Sequence, residues 1–362
     1  SGSLPKANTA LYQRAELTAK KMYAVVEIDR ETIKASLKDE GSFVRATKEV
    51  VQKAVESFMR NMSRALFNDG SGKLGSGNGT TVTGNGSEAT PFVVTISAMK
   101  EANFEERDLV HVENSGTSQG LFEIIGVVAA VPGVSSGTVS LKLAQGNVTG
   151  SPAADCDIYM QGSSSAAGGD TDPEGLKGIL QTEAELNAIS KTPYGITPGR
   201  RWSAAHVEAG NGSLAISTDL LNKVMLSIKK KCGKSPNLIV CSFKQYEKIL
   251  NLLEDKKRYT VNTRAGLKSK SGADISFSGV EFMSIDGPIG IFPERFVEDD
   301  RIYLLNDAHI HIKHRPDFGW FDDDGTVFLR KADADAYEAR YGGYLQIYIN
   351  PCFHGVIKGL SV

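Results

Sequence analysis

The chain has 362 residues, enough for one large domain or about two to three ordinary ones. Hydrophobic residues make up 41%, charged residues 23%, and the net charge is −2, an ordinary profile for a soluble globular protein. Nothing in that balance demands nucleic acid through bulk charge: Lys229-Lys230-Lys231 is too short for a basic face and reads instead as the cap of a helix C-terminus.

No apolar run reaches the ~18 residues of a membrane span and no signal peptide opens the chain, so a cytosolic product is expected. A start at Ser1 rather than Met points to proteolytic processing or a trimmed chain, and Ser-Gly-Ser also fits a tag scar. Cys156, Cys232, Cys241 and Cys352 are far apart without a CxxC pair, which argues for reduced, buried thiols rather than zinc or a disulfide framework.

In chain order, residues 12–28 read as extended, a two-stranded excursion built on Tyr23, Val25, Val26 and Ile28. Asp29 caps a short helix over 30–38 that Gly41 ends. Ser42 then opens a helix of ~24 residues, ~36 Å long, in which Val44, Val51, Val55, Phe58, Met62 and Leu66 recur at helical spacing. From Asn68 to about residue 86 the chain is rich in Gly, Ser, Thr and Asn, a flexible exit. Five short apolar runs between 91 and 160 predict an inserted all-β module, closed by the low-complexity stretch 162–169. Beyond Asp172 helices alternate with strands: a helix over 217–232 ended by Gly233, a buried strand over 238–241, and a helix over 243–253. The last hundred residues are mostly strands, including 301–305, 310–313 and 339–349. The fold class is α+β with a β insertion.

Candidate sites each have a plainer explanation. Gly70-Ser71-Gly72-Lys73-Leu74-Gly75 has the spacing of a dinucleotide fingerprint, but it follows a helix and leads into strands, the reverse of the context that chemistry needs. His309, His311 and His314 could be imagined around a metal, yet no Cys or paired carboxylate stands at fitting spacing, and solvent-facing histidines on a strand explain the pattern. Asp322-Asp323-Asp324-Gly325 lacks the alternating ligands of a calcium loop and reads as a hairpin turn. There is no GxSxG elbow, and the sequons at Asn78, Asn85, Asn147 and Asn211 carry little weight without a secretory signal. No residue is assigned a catalytic, cofactor-binding or metal role, and no enzyme is expected.

Four segments in order resemble the major capsid proteins of tailed bacteriophages, which have the Hong Kong 97 fold. They are Lys21-Met22-Tyr23-Ala24-Val25-Val26-Glu27-Ile28-Asp29-Arg30-Glu31 with the long helix and Ala65 to Gly72; Pro173-Glu174-Gly175-Leu176-Lys177-Gly178-Ile179-Leu180; Pro236-Asn237-Leu238-Ile239-Val240-Cys241-Ser242 with Tyr246 and Leu250; and the ending from Phe318-Gly319-Trp320 through Tyr337-Glu338-Ala339-Arg340-Tyr341 to His354-Gly355-Val356-Ile357-Lys358-Gly359-Leu360. The resemblance implies an N-terminal arm and extended loop over 1–30, a peripheral domain with its spine helix over 31–82, the β-rich insertion over 83–163, peripheral domain again over 164–200, an axial domain over 201–316, and closing strands over 317–362. Only about 22 residues precede Tyr23, short for a complete arm plus the first strand of the extended loop, so the chain is cut upstream or its arm is reduced.

By the same resemblance the chain self-assembles into hexamers and pentamers of an icosahedral shell, made in the host bacterial cytoplasm and residing in the virion capsid. Portal, scaffolding and decoration proteins are the implied partners, with packaged double-stranded DNA contacted non-specifically and no membrane. Some members crosslink a loop lysine to a neighbour's asparagine; Lys20, Lys21 and Asn350 match by residue type alone, and the chemistry is not carried over. The alternatives are an encapsulin-type nanocompartment shell and, from another class, a carbohydrate-active or metal-dependent enzyme with the β module as its binding domain.

Overall fold

The computed structural model describes residues 13–31, 40–97, 99–128, 136–144, 151–163, 172–255, 265–267, 275–277, 280–284, 287–315, 318–322, 325–331 and 335–362. Strand β1 (Lys20–Asp29) alternates strictly, with Met22, Val26 and Ile28 buried and Lys21, Tyr23, Val25, Glu27 and Asp29 exposed. It has no preceding partner strand among the described residues, and the expected helix over 30–38 falls largely outside them.

Helix α1 (Glu40–Phe67) starts two residues before Ser42 and runs 28 residues. Its buried stripe is narrower than the periodicity implies. Phe58, Ala65 and Phe67 are buried and Met62 and Leu66 partly so, whereas Val51 and Val55 stay half-exposed on its flank and join no core cluster. The helix's core contacts run from Ala54 through Phe58 and Met62 to Phe67, while the side chain of Val44 lies outside the described residues.

The next six strands, β2 (Lys73–Gly77), β3 (Phe92–Ser97), β4 (Leu109–Asn114), β5 (Thr117–Val128), β6 (Gly137–Leu143) and β7 (Asp157–Met160), close into a barrel in the order β2-β3-β6-β5-β4-β7. Period-2 alternation fills it with Val94, Ile96, Val112, Phe122, Ile124 and Leu141, all fully buried. Strand β2 lies inside the stretch expected to be a flexible exit. Its Gly and Ser residues have little strand propensity, and Leu74 alone points into the core; pairing with β3 and β7 imposes the extended form.

The remainder forms a mixed α/β body. Helix α2 (Leu176–Ile179) is followed by α3 (Glu183–Ala188), opened by a reciprocal Thr182–Glu185 capping box. After β8 (His206–Leu214), α4 (Thr218–Cys232) is capped by Ser217, whose side chain accepts from Leu220 N–H at 3.1 Å, and ended by Gly233 in the left-handed region. Strand β9 (Leu238–Cys241), helix α5 (Phe243–Asp255), the pair β10 (Ala265–Leu267) and β11 (Ile275–Phe277), then β12 (Val280–Ser284), β13 (Gly287–Pro293) and β14 (Ile302–Leu305) follow. Past β15 (Ile310–His314), β16 (Gly319–Trp320) and β17 (Leu329–Arg330) come the long β18 (Ala336–Ile349) and β19 (Gly355–Leu360).

These strands make two sheets. One has six strands in the order β12-β13-β9-β14-β19-β8, and α4 packs Leu221, Val224 and Ile228 onto it. In the other, β18 is the backbone of five: β1 covers one edge from Ala336 to Leu345, and β15, β16 and β17 follow one another along the opposite edge. Because β16 and β17 both pair with β18, the Asp322–Gly325 turn joins two strands that do not pair with each other, not a hairpin as expected; Asp323 and Asp324 lie outside the described residues.

Candidate functional site

The β1–β18 ribbon has one face buried and one open. Inward, Phe58 of α1 meets Tyr341 and Phe318 edge-on, each at 5.4 Å between ring centroids. Outward, Lys21, Tyr23, Val25 and Glu27 stand opposite Tyr344, Gly342, Arg340 and Glu338. Tyr23 is 41% and Val25 58% exposed, a large share for apolar groups in the middle of a ten-residue strand. The Lys21 ammonium lies 5.9 Å from the Tyr344 ring, Tyr23 packs on Phe321 at 5.4 Å, and Glu27 accepts from Lys331 at 3.0 Å. The strands can approach this closely only because residue 342 is glycine: a Cβ there would run into the Met22 carbonyl oxygen and come within 3.0 Å of Tyr23 Cα.

A second arrangement ties the barrel to the body. Arg60 on α1 pairs with Glu105 and, at 3.3 Å, with Asp108, both at the foot of β4, while Arg295 reaches Glu105 at 3.1 Å. Burial pushes the Asp108 carboxyl above its usual range and the Arg60 charge pulls it back only in part. Lys100 donates to the Phe296 carbonyl, and burial lowers its ammonium to about 8. One turn further along α1, the buried Arg64 donates to Met160 Sδ at 3.4 Å, and among neighbouring charges Asp172 offsets the cost of its burial most. Asp172 accepts from Ser163 Oγ at 2.7 Å, so Arg64 sits where the chain leaves the barrel and re-enters the body. Sequence reasoning missed this Arg60/Arg64 pair, although i,i+4 basic residues on the buried side of an amphipathic helix were a readable signal.

The sequence candidates are not gathered into one site. The His309 ring stacks on Phe353 at 3.6 Å, His311 lies parallel to Tyr348 at 6.2 Å and His314 packs on Phe318 at 5.0 Å, each with its own aromatic partner. Gly70 to Gly75 turns out of α1 straight into the barrel, with Asp69 accepting from Ser71 N–H at 3.0 Å. Cys156, Cys241 and Cys352 are buried free thiols, and Cys232 is partly exposed; burial pushes Cys241 up to about 12. Lys231 donates to the Ala204 carbonyl at 2.7 Å and to Ser203 Oγ at 3.1 Å, so it fastens α4 to the 203–204 segment. Lys20 and Lys21 lie on β1 and Asn350 just beyond β18. Among the described residues no group of three His, Cys, Asp or Glu side chains could hold a metal ion, and no helix is long and apolar enough to cross a membrane.

The chain that carries this ribbon, this charged joint and these scattered sequence candidates is similar to phage capsid proteins. Residues 157–324, a little under half of the sequence, match the family model for the SU10 major capsid protein, in agreement with the resemblance read from the sequence. Among solved structures, the capsid asymmetric unit of cyanophage A-1(L) is 14% identical with a TM-score of 0.37, covering 54% of this chain and 62% of that one. The satellite phage P4 procapsid chain is 11% identical with a TM-score of 0.39, covering 100% of this chain and 77% of that one. The SrpI encapsulin of Synechococcus elongatus PCC 7942 is 9% identical with a TM-score of 0.30, covering 44% and 54% respectively. The chain thus spans less than two thirds of the cyanophage and encapsulin proteins. No curated protein matches.

Proposed function

We propose that the chain is the major capsid protein of a tailed bacteriophage, a subunit that self-assembles as hexamers and pentamers into an icosahedral shell around double-stranded DNA. The observation that carries this reading is the match of residues 157–324 to the SU10 major capsid protein family. That span runs from the last barrel strand to the turn before β17 and includes five strands of the six-stranded sheet, all but β19. In the finer assignment the body has the Hong Kong 97-type architecture: α1 is the spine helix of the peripheral domain, β8 to β14 form the axial domain, and the barrel is an insertion bounded by 73 and 160. Portal, scaffolding and decoration proteins are its partners in the virion, and the net charge of −2 suits an inner wall that holds packed DNA without gripping it.

Ring-closing heterologous contacts of this kind need open surface on the monomer, and the outer face of the β1–β18 ribbon supplies some of it. The test is negative-stain microscopy with light scattering on the purified full chain. Five- and six-fold rings or closed shells are expected. A dispersed particle of 38.9 kDa at every salt and protein concentration overturns the reading, and copurification of an enzyme as cargo in place of phage DNA would turn it into a nanocompartment shell.

A further inference from the structure

The outer edge of β1 is an unfinished sheet. Strand β18 takes one edge over all ten residues, and among the described residues no strand pairs with the other. Proteins seldom leave a long, flat edge with apolar side chains open to water, because its unpaired N–H and C=O groups template pairing with another chain. Here neither Pro nor a bulge blunts the edge, and Tyr23 and Val25 stand exposed in its centre.

The order of residues along β1 shows what fits. Lys21 stands near its start and Glu27 and Asp29 at its end, with the apolar pair between them. A second copy of β1 laid antiparallel, with Ala24 opposite Ala24, sets each Lys21 opposite Glu27 and each Tyr23 opposite Val25 on the solvent face. On the inner face it sets Met22 opposite Val26. Opposite residues point to the same side of a sheet, so the pairing keeps both copies' buried faces on the side of α1. Shifting the centre to Val25 would instead place Tyr23 against Glu27, and a one-residue slip would turn apolar groups outward. Glu27 already accepts from Lys331 at 3.0 Å through one oxygen, and among the described residues no second cation meets the other.

We infer that β1 is a self-complementary strand that pairs antiparallel with β1 of a second copy of this chain, joining two five-stranded sheets into one across a two-fold axis. Such an isologous contact is used up by two copies and closes no five- or six-membered ring. It therefore joins one ring to the next, and in this respect it rests on the shell reading.

The test is zero-length carbodiimide cross-linking of the assembled full chain, with peptide mapping. Along one strand Lys21 and Glu27 are about 20 Å apart, so a Lys21–Glu27 link can form only between two copies. That link is expected. Each of Lys21→Glu and Glu27→Lys places two like-charge pairs in the contact and should weaken association between rings about tenfold, while the double exchange K21E/E27K restores it. An internal role for Glu27 with Lys331 predicts no such rescue. Assembled wild type without the link, a double exchange no better than the single changes, or a link from Lys6 to β1, which would put the N-terminal segment there, overturns the pairing and leaves the shell reading intact. A wild-type chain that never assembles overturns both.

Discussion

Phe58 is the residue on which α1 is seated. It is 1% exposed, meets Tyr341 and Phe318 edge-on and belongs to the core cluster it shares with Leu345 and Ile347 of β18, whereas Val55, one turn earlier, is only partly buried. Phe58→Ala should cost about 3–5 kcal/mol by transfer plus cavity, and Val55→Ala less than about 1 kcal/mol. Urea unfolding of the two variants measures the difference, and equal losses would mean that the helix is seated otherwise. His354 makes a second residue-scale test. Its ring is fully buried, Nδ1 accepts from Asn306 N–H at 3.1 Å, and burial lowers its pKa from 6.5 to about 4. Between those values the unfolded chain binds the proton and the folded one does not, so stability is complete above about pH 6.5 and falls as the pH drops through the window to 4. The loss is on the order of 3 kcal/mol. Unfolding midpoints at pH 7 and 4.5 should show it, and the His354→Gln chain should lack that share of the dependence.

At the scale of elements, the joint between barrel and α1 rests mainly on charge: the barrel's apolar cluster is separate from those of the body, and from the barrel's connections Ala102 packs against the body's core. Arg60→Ala leaves Asp108 without its cation and Glu105 with Arg295 alone, at a cost of about 1–3 kcal/mol. The cost should appear locally. Hydrogen exchange at the foot of β4 and in the second half of α1 should quicken, while the barrel interior keeps its protection. Uniform loss of protection across the chain would show that barrel and body unfold as one unit.

For the molecule as a whole, the adjacency of β2 and β7 decides where the barrel can be removed. Lys73 pairs with Tyr159, and Met160 N–H donates to the Gly72 carbonyl at 3.0 Å, so the two exits lie side by side. Replacing 73–160 by a short Gly/Ser linker should leave a folded body that still forms rings by microscopy. Replacing 83–163 instead leaves β2 without its neighbours and Leu74 in water, and that chain should be the less soluble of the two. The contrast tests the barrel as a self-contained insertion; insoluble body from both would refute it. Boundaries set by local chemistry were legible: Ser217 and Gly233 enclose α4, and the alternation of Phe92 to Ile96 marks a barrel strand, because caps and periodicity act between residues a few positions apart. The likeness to capsid proteins was also readable, from segments in order. Tertiary structure alone decided that Lys20 to Asp29 pairs with residues some three hundred positions later, that the glycine-rich stretch after α1 becomes a barrel strand, that Arg60 and Arg64 hold the barrel, and that among the described residues no strand takes the other edge of β1. Such pairings depend on which distant partner offers the missing hydrogen bonds and charges, and no window of neighbouring residues contains that information.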